Sequence, residues 1–142
     1  MRFTACAAFL FAAASLFAAP PDGTIQVTSV AWKDAPASMP KGTKIAILEG
    51  DPKAAGIFTI RLKVPAGSKI APHTHPRPER VTVLSGRVLV GFGDVVDAKN
   101  TTAFNAGSFY VNAPGEHHYV IFPKESVLQL TCEGPWVLNY VK

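Results

Sequence analysis

Residues 67–86 read Gly67-Ser68-Lys69-Ile70-Ala71-Pro72-His73-Thr74-His75-Pro76-Arg77-Pro78-Glu79-Arg80-Val81-Thr82-Val83-Leu84-Ser85-Gly86. Side chains two apart on an extended chain point to the same face. His73 and His75 therefore aim two imidazoles at one point. Pro76-Arg77-Pro78 makes a stiff corner, because proline fixes its own backbone angle. The chain then re-enters an extended run in which Glu79, Val81 and Val83 share a face. A carboxylate at the head of an apolar strand face needs a partner there.

The rest of the chain is built from runs of the same kind. Ile57–Val64 alternates, with Phe58, Ile60, Leu62 and Val64 opposite Thr59, Arg61 and Lys63. Ile25–Trp32, Lys44–Leu48, Glu79–Leu84, Arg87–Phe92, Ser108–Val111, Tyr119–Phe122, Val127–Cys132 and Trp136–Val141 read as further strands. They are bounded by Gly, Pro, Asn and Asp. Residues 20–24 and 33–43 read as an arm and a loop. No run after the first residues has a helical period, and 12 prolines oppose long helices. Many short strands in one chain predict an all-β sandwich or barrel.

The N-terminus reads differently. Arg2 precedes an apolar run from Phe3 to Ala19, and Ala18-Ala19 leads into Pro20-Pro21. A basic start, an apolar middle and small residues at the exit predict a cleaved secretory leader over residues 1–19. That leaves a single domain over 20–142, periplasmic or secreted, with no stable membrane anchor. Of the two cysteines, Cys6 falls in the leader, so Cys132 has no internal disulfide partner and reads as a buried thiol. The 14 Lys and Arg (Arg2 among them) stand against 10 Asp and Glu and are scattered. A nucleic-acid partner needs a clustered basic face, and the sequence has none.

All four histidines lie in two clusters. The second is Gly107, five residues, then Ala113-Pro114-Gly115-Glu116-His117-His118. Two imidazoles, one carboxylate and a third imidazole form a donor set suited to a divalent transition metal.

The first cluster resembles the first motif of the cupin superfamily at every fixed position: Gly67, His73, His75, Glu79 and Gly86. The second is similar to the second cupin motif at Gly107, Gly115 and His118. It departs from it with Ala113 in place of the usual proline and Phe122 in place of a frequent asparagine. The resemblance implies a double-stranded β-helix, or jelly-roll, barrel. It implies a metal (iron, manganese, nickel, copper or zinc) held by His73, His75, Glu79 and His118, with His117 left outside. An octahedral ion with four such ligands leaves about two positions for water, dioxygen or a bidentate substrate. The function implied is a metal-dependent enzyme, an oxygen-using oxidoreductase or a lyase, acting on a small organic molecule. The alternative is a non-catalytic periplasmic module that binds or senses a metal or small ligand. The family's strand exchange implies a homodimer, with Ile25–Trp32 as the exchanged arm.

Other residues have plainer readings. Glu116 reads as an exposed turn carboxylate, Arg80 as outward-facing and Arg77 as part of the loop. Tyr110 and Tyr119 read as packed aromatics. Phe58, Phe92, Phe109, Phe122 and Trp136 read as barrel lining or interface.

Overall fold

The computed structural model describes residues 30–142. The leader and residues 25–29 of the expected arm lie outside the described residues, and Val30–Trp32 are not in a strand. The described chain forms β1 (Lys33–Asp34), β2 (Lys44–Glu49), β3 (Gly56–Val64), β4 (Lys69–Thr74), β5 (Glu79–Ser85) and β6 (Arg87–Phe92). There follow β7 (Thr102–Asn105), β8 (Phe109–Asn112), β9 (His118–Ile121), β10 (Ser126–Gly134) and β11 (Asn139–Tyr140). Among the described residues no helix is long and apolar enough to cross a membrane.

The strands form two antiparallel sheets, β1-β2-β3-β10-β5-β8 and β11-β4-β9-β6-β7. From β3 onward the chain mostly alternates between the sheets. That alternation winds it into the expected jelly-roll barrel, and each sheet turns its apolar face to the other. The longest pairing, β3 with β10, runs from Gly56↔Gly134 to Val64↔Ser126. It places Phe58, Ile60, Leu62 and Val64 beside Leu128, Leu130 and Cys132, all buried. Val81, Val83, Val88, Val90, Val120 and Phe122 complete the core. Burial of each such side chain contributes ~1.5–3 kcal/mol. Cys132 is a free, buried thiol, as expected. Gly86, at φ 80°, turns β5 into β6, and an added Cβ there would stand 2.4 Å from the Glu125 carbonyl oxygen.

Two expectations need correction. Trp136–Val141 is a strand only at Asn139–Tyr140. The loop over 33–43 contains the short β1 and sends Met39 into the core. Of the aromatics expected as barrel lining or interface, Phe58 and Phe122 are buried, and Phe92 and Phe109 are exposed. β4 and β7 are strands beyond those expected.

Candidate metal centre

β4 carries the first histidine, and its sequence contains the device that aims it. Ile70 pairs with Val120 and His73 with His118, so three steps on β4 oppose two on β9. This is a β-bulge at Ala71-Pro72, where Pro72 has no N–H to give to a ladder. Without the bulge, Ile70 and His73 would point to opposite faces. With it, Ile70, His73 and His75 all turn into the barrel, and each is buried. His118 sits directly opposite His73, so the two rings share a face, with centroids 4.3 Å apart. The His75 ring lies 4.8 Å from His73 and 5.2 Å from His118.

The other sheet supplies the carboxylate. Glu79 opens β5 and pairs with Asn112 at the end of β8. Asn112 Nδ2 donates to Glu79 Oε2 at 2.9 Å, and Trp136 Nε1 donates to Oε1 at 2.9 Å. Glu79 Oε2 lies 3.4 Å from His75 Nε2. The site thus bridges the two sheets, with His73 and His118 on one and Glu79 and Asn112 on the other.

The outer nitrogens settle what the histidines present. Nδ1 of His73 donates to the Ala71 carbonyl at 2.7 Å, that of His75 to Val137 at 2.8 Å and that of His118 to Glu116 at 3.0 Å. A carbonyl only accepts, so in each neutral ring the proton sits on Nδ1 and Nε2 carries a bare lone pair. Nε2 of His75 and of His118 is buried with no hydrogen-bond partner. Ligand nitrogens of the three residues all lie within 4.8 Å of one another. Glu79 borders this group through His75. Two ligands each ~2.1 Å from a shared ion stand roughly 3.0–3.4 Å apart, and the His75–Glu79 separation fits that. Converging lone pairs beside a carboxylate, with no donor aimed into the middle, suit a cation.

Electrostatics agree. Burial, and then the neighbouring His118, lower the pKa of His73 to about 4. Burial also lowers that of His118. Burial works in the same direction on His75, but the adjacent Glu79 carboxylate overrides it and raises the value. Burial alone would raise Glu79, yet His75, Asn112 and Trp136 together bring it to about 2. His73 and His118 are neutral, and Glu79 ionised, at pH 7, as a metal requires, while Glu79 makes His75 hold its proton more firmly, so an incoming ion displaces that proton.

The remaining candidates fall outside. His117 is exposed and pairs with Asp94. Glu116 is exposed, and Arg77 lies 3.9 Å from Glu133 on the surface. Arg80 faces outward, as expected. Tyr119 is packed over Gly91, and its hydroxyl joins the Asp97 carbonyl at 2.8 Å, away from the histidines. Tyr110 does line the cavity. Burial, and next the charge of Glu79, raise its pKa, so the phenol keeps its proton. The sequence reading missed Asn112 and missed the polar role of Trp136. An amide ending the apolar run Phe109-Tyr110-Val111 was the available signal, but only the β5–β8 register ties it to Glu79.

The family profile described as the ChrR cupin-like domain matches residues 21–137. The germin-like protein 3-1 of Oryza sativa subsp. japonica is 37% identical over 68 residues, 47% of this chain and 30% of that protein. The chain thus spans under a third of that relative's length. Among solved structures, the polyketide cyclase RemF from Streptomyces resistomycificus has a TM-score of 0.68 at 17% identity, covering 84% of each chain. A putative acetylacetone dioxygenase from Methylibium petroleiphilum PM1 has a TM-score of 0.65 at 25% identity, covering 89% of this chain and 85% of that one.

Proposed function

Because the chain belongs to the family of ChrR cupin-like domains, and because three imidazoles converge in it with their Nε2 lone pairs turned inward, we propose that it is an exported, metal-dependent enzyme. It acts on a small organic molecule, as an oxygen-using oxidoreductase or a lyase. The observation that carries this reading is the pair of buried, partnerless Nε2 atoms on His75 and His118. His73, His75, Glu79 and His118 hold one divalent ion from among iron, manganese, nickel, copper and zinc. When bound, such an ion acts as a Lewis acid and orients a bidentate substrate.

The chain's own groups do the rest. Backbone carbonyls of Ala71, Val137 and Glu116 fix the histidine tautomers. Asn112 and Trp136 hold both oxygens of Glu79. Tyr110 keeps a phenolic O–H in the lining of the same cavity and can offer it as a hydrogen bond to a substrate oxygen. Leu62, Val81, Val120 and Leu128 exclude bulk water from below.

The similarity to a putative acetylacetone dioxygenase supports oxygen chemistry on a compact carbonyl compound. The test is elemental analysis of the protein purified from its own compartment, followed by turnover assays on small acids, diketones and phenols with and without dioxygen. About one metal per chain with metal-dependent product formation is expected. A metal-replete protein inert across the panel would favour the non-catalytic binding module.

The apolar run Phe3–Ala19 supports export, and N-terminal sequencing of the exported protein should begin near Pro20. The exposed Phe109 and Val111 on the edge strand β8 support a homodimer. Light scattering showing only monomer would refute it.

A further inference from the structure

The cavity at the three imidazoles has a volume of about 20 Å³. That is space for roughly one water beside an ion, and for no organic molecule. A second hollow, of about 660 Å³, opens directly outside it. That volume lies within the ~300–1,000 Å³ of small-ligand sites. Ile45, Ile47, Pro52 and Val137 give it apolar walls. Ile47 is 53% exposed, an uncovered aliphatic on the barrel's open side.

Met39, Trp136 and Leu138 line both spaces and are the partition between them. The partition is unequal in stiffness. Trp136 is held by Nε1 on Glu79 and by its backbone N–H on the Pro52 carbonyl at 2.7 Å. Its ring also stacks on His75 at 12°. Leu138 follows Val137, whose carbonyl fixes the His75 ring. Met39 instead hangs from the turn between β1 and β2. That turn is held by short-range bonds, Met39 N–H to Pro36 at 2.9 Å and Thr43 N–H to Pro40 at 3.1 Å, and by the Tyr140 hydroxyl on the Ser38 carbonyl. An unbranched thioether changes rotamer more cheaply than a ring or a branched chain.

We propose that this hollow seats the apolar body of the substrate, and that Met39 is the movable wall past which the substrate's metal-binding oxygens reach the histidines. The inference rests on the metal reading above. The ligand class is a small molecule with two adjacent oxygens at one end and an apolar group at the other. Lys33, Lys53 and Asp34 line the hollow, and the Asp34 carboxylate is paired with Lys44 at 2.7 Å, so the net positive rim favours an anionic chelating head on its way in.

The test uses the full chain loaded with zinc and two bidentate probes, acetohydroxamate and benzohydroxamate, titrated by calorimetry. The benzo compound should bind about tenfold more tightly or better, the effect of burying part of one phenyl ring. Ile47→Asp should abolish most of that advantage while zinc per chain is unchanged. Met39→Ala should speed association of both probes. Met39 is the one methionine beyond Met1, so a [methyl-13C]methionine label reports on it directly. Its resonance should shift on saturation with benzohydroxamate.

Equal affinities for the two probes, an undiminished advantage in Ile47→Asp, or an unmoved Met39 methyl would each overturn the proposal. A dimer that Ile47→Asp dissociates would give the hollow to a second copy. A ligand-free monomer that Ile47→Asp destabilises by many degrees would give it to the chain itself. Either result overturns the proposal. Failure of the chain to bind zinc would overturn the metal reading as well. Zinc bound one per chain with equal probe affinities overturns this inference alone.

Discussion

Glu79→Gln separates two jobs that one carboxylate does. Both oxygens accept a hydrogen bond, from Asn112 and from Trp136, each at 2.9 Å. A glutamine has one carbonyl oxygen and one NH2, so in either orientation an NH2 faces an N–H donor. One buried donor is then left without an acceptor, a loss of ~1–3 kcal/mol. The lowered pKa of Glu79 has the same sign: His75 first, then Asn112 and Trp136, favour the ion against its burial. For a domain of this length, ~1–3 kcal/mol lowers the melting temperature of the metal-free protein by ~4–12 °C. Metal binding suffers separately. Disturbing a group behind a ligand typically costs ~10–100-fold in affinity, so losing a charged ligand should cost at least about a hundredfold. At a metal concentration a hundredfold above the wild-type Kd, metal stabilises wild type by ~2.7 kcal/mol and a hundredfold weaker variant by only ~0.4, so the variant forfeits a further ~2.3 kcal/mol. The assay is a pair of melting curves, metal-free and metal-loaded, with metal per chain measured on the same samples. The gap between wild type and variant should widen by ~10 °C on adding metal. A variant with the metal-free loss but undiminished metal content would make Glu79 a structural acceptor and not a ligand.

His118→Ala should cut metal per chain sharply while His117→Ala leaves it intact, since only the former places a partnerless nitrogen in the cluster; the reverse result would redraw the site. Acidification of the metal-free protein should lower its melting temperature between pH 6.5 and about 4. His73 and His118 have folded values below their unfolded ones, so the unfolded chain takes up protons first and stability falls with pH. The raised value of His75 acts above this window and the lowered one of Glu79 below 4.5, so neither reverses the trend. His73 alone accounts for ~3 kcal/mol of the loss, and a flat melting temperature over that range would refute the buried neutral cluster. Gly91→Ala should lower the denaturant midpoint by the equivalent of ~1–3 kcal/mol or more, because its Cβ would stand 2.1 Å from Tyr119 Cζ.

Much of the barrel is legible in the sequence because alternation and turn glycines are local signals. Ile57–Val64 shows its inner face without any partner, and Gly67, Gly86, Gly107 and Gly115 all adopt positive φ. The histidine spacing is legible for the same reason. What stayed hidden depends on pairing. β4 contains Pro72 and a change of side-chain parity, so it reads as a corner until β9 is laid beside it. Residues 136–138 look like a strand, yet Val137 gives its carbonyl to the His75 ring instead of to a ladder. Met39 sits among Pro, Ser, Lys and Gly and reads as loop, although its side chain enters the core. Phe122, where the cupin resemblance expects an asparagine, is buried in the core, and the amide beside Glu79 comes from Asn112.

The outer bonds of the three imidazoles end on main-chain oxygens, those of Ala71, Val137 and Glu116. Any amino acid offers such an oxygen, so those three positions can drift while the tautomers persist. Glu79 is held by two side chains, and a single codon change at 112 or 136 would release it. The nitrogen half of the centre is therefore mutationally robust and the carboxylate half is not. A lineage built on this barrel could retune the charge of the site in one step while inheriting its histidine geometry unaltered.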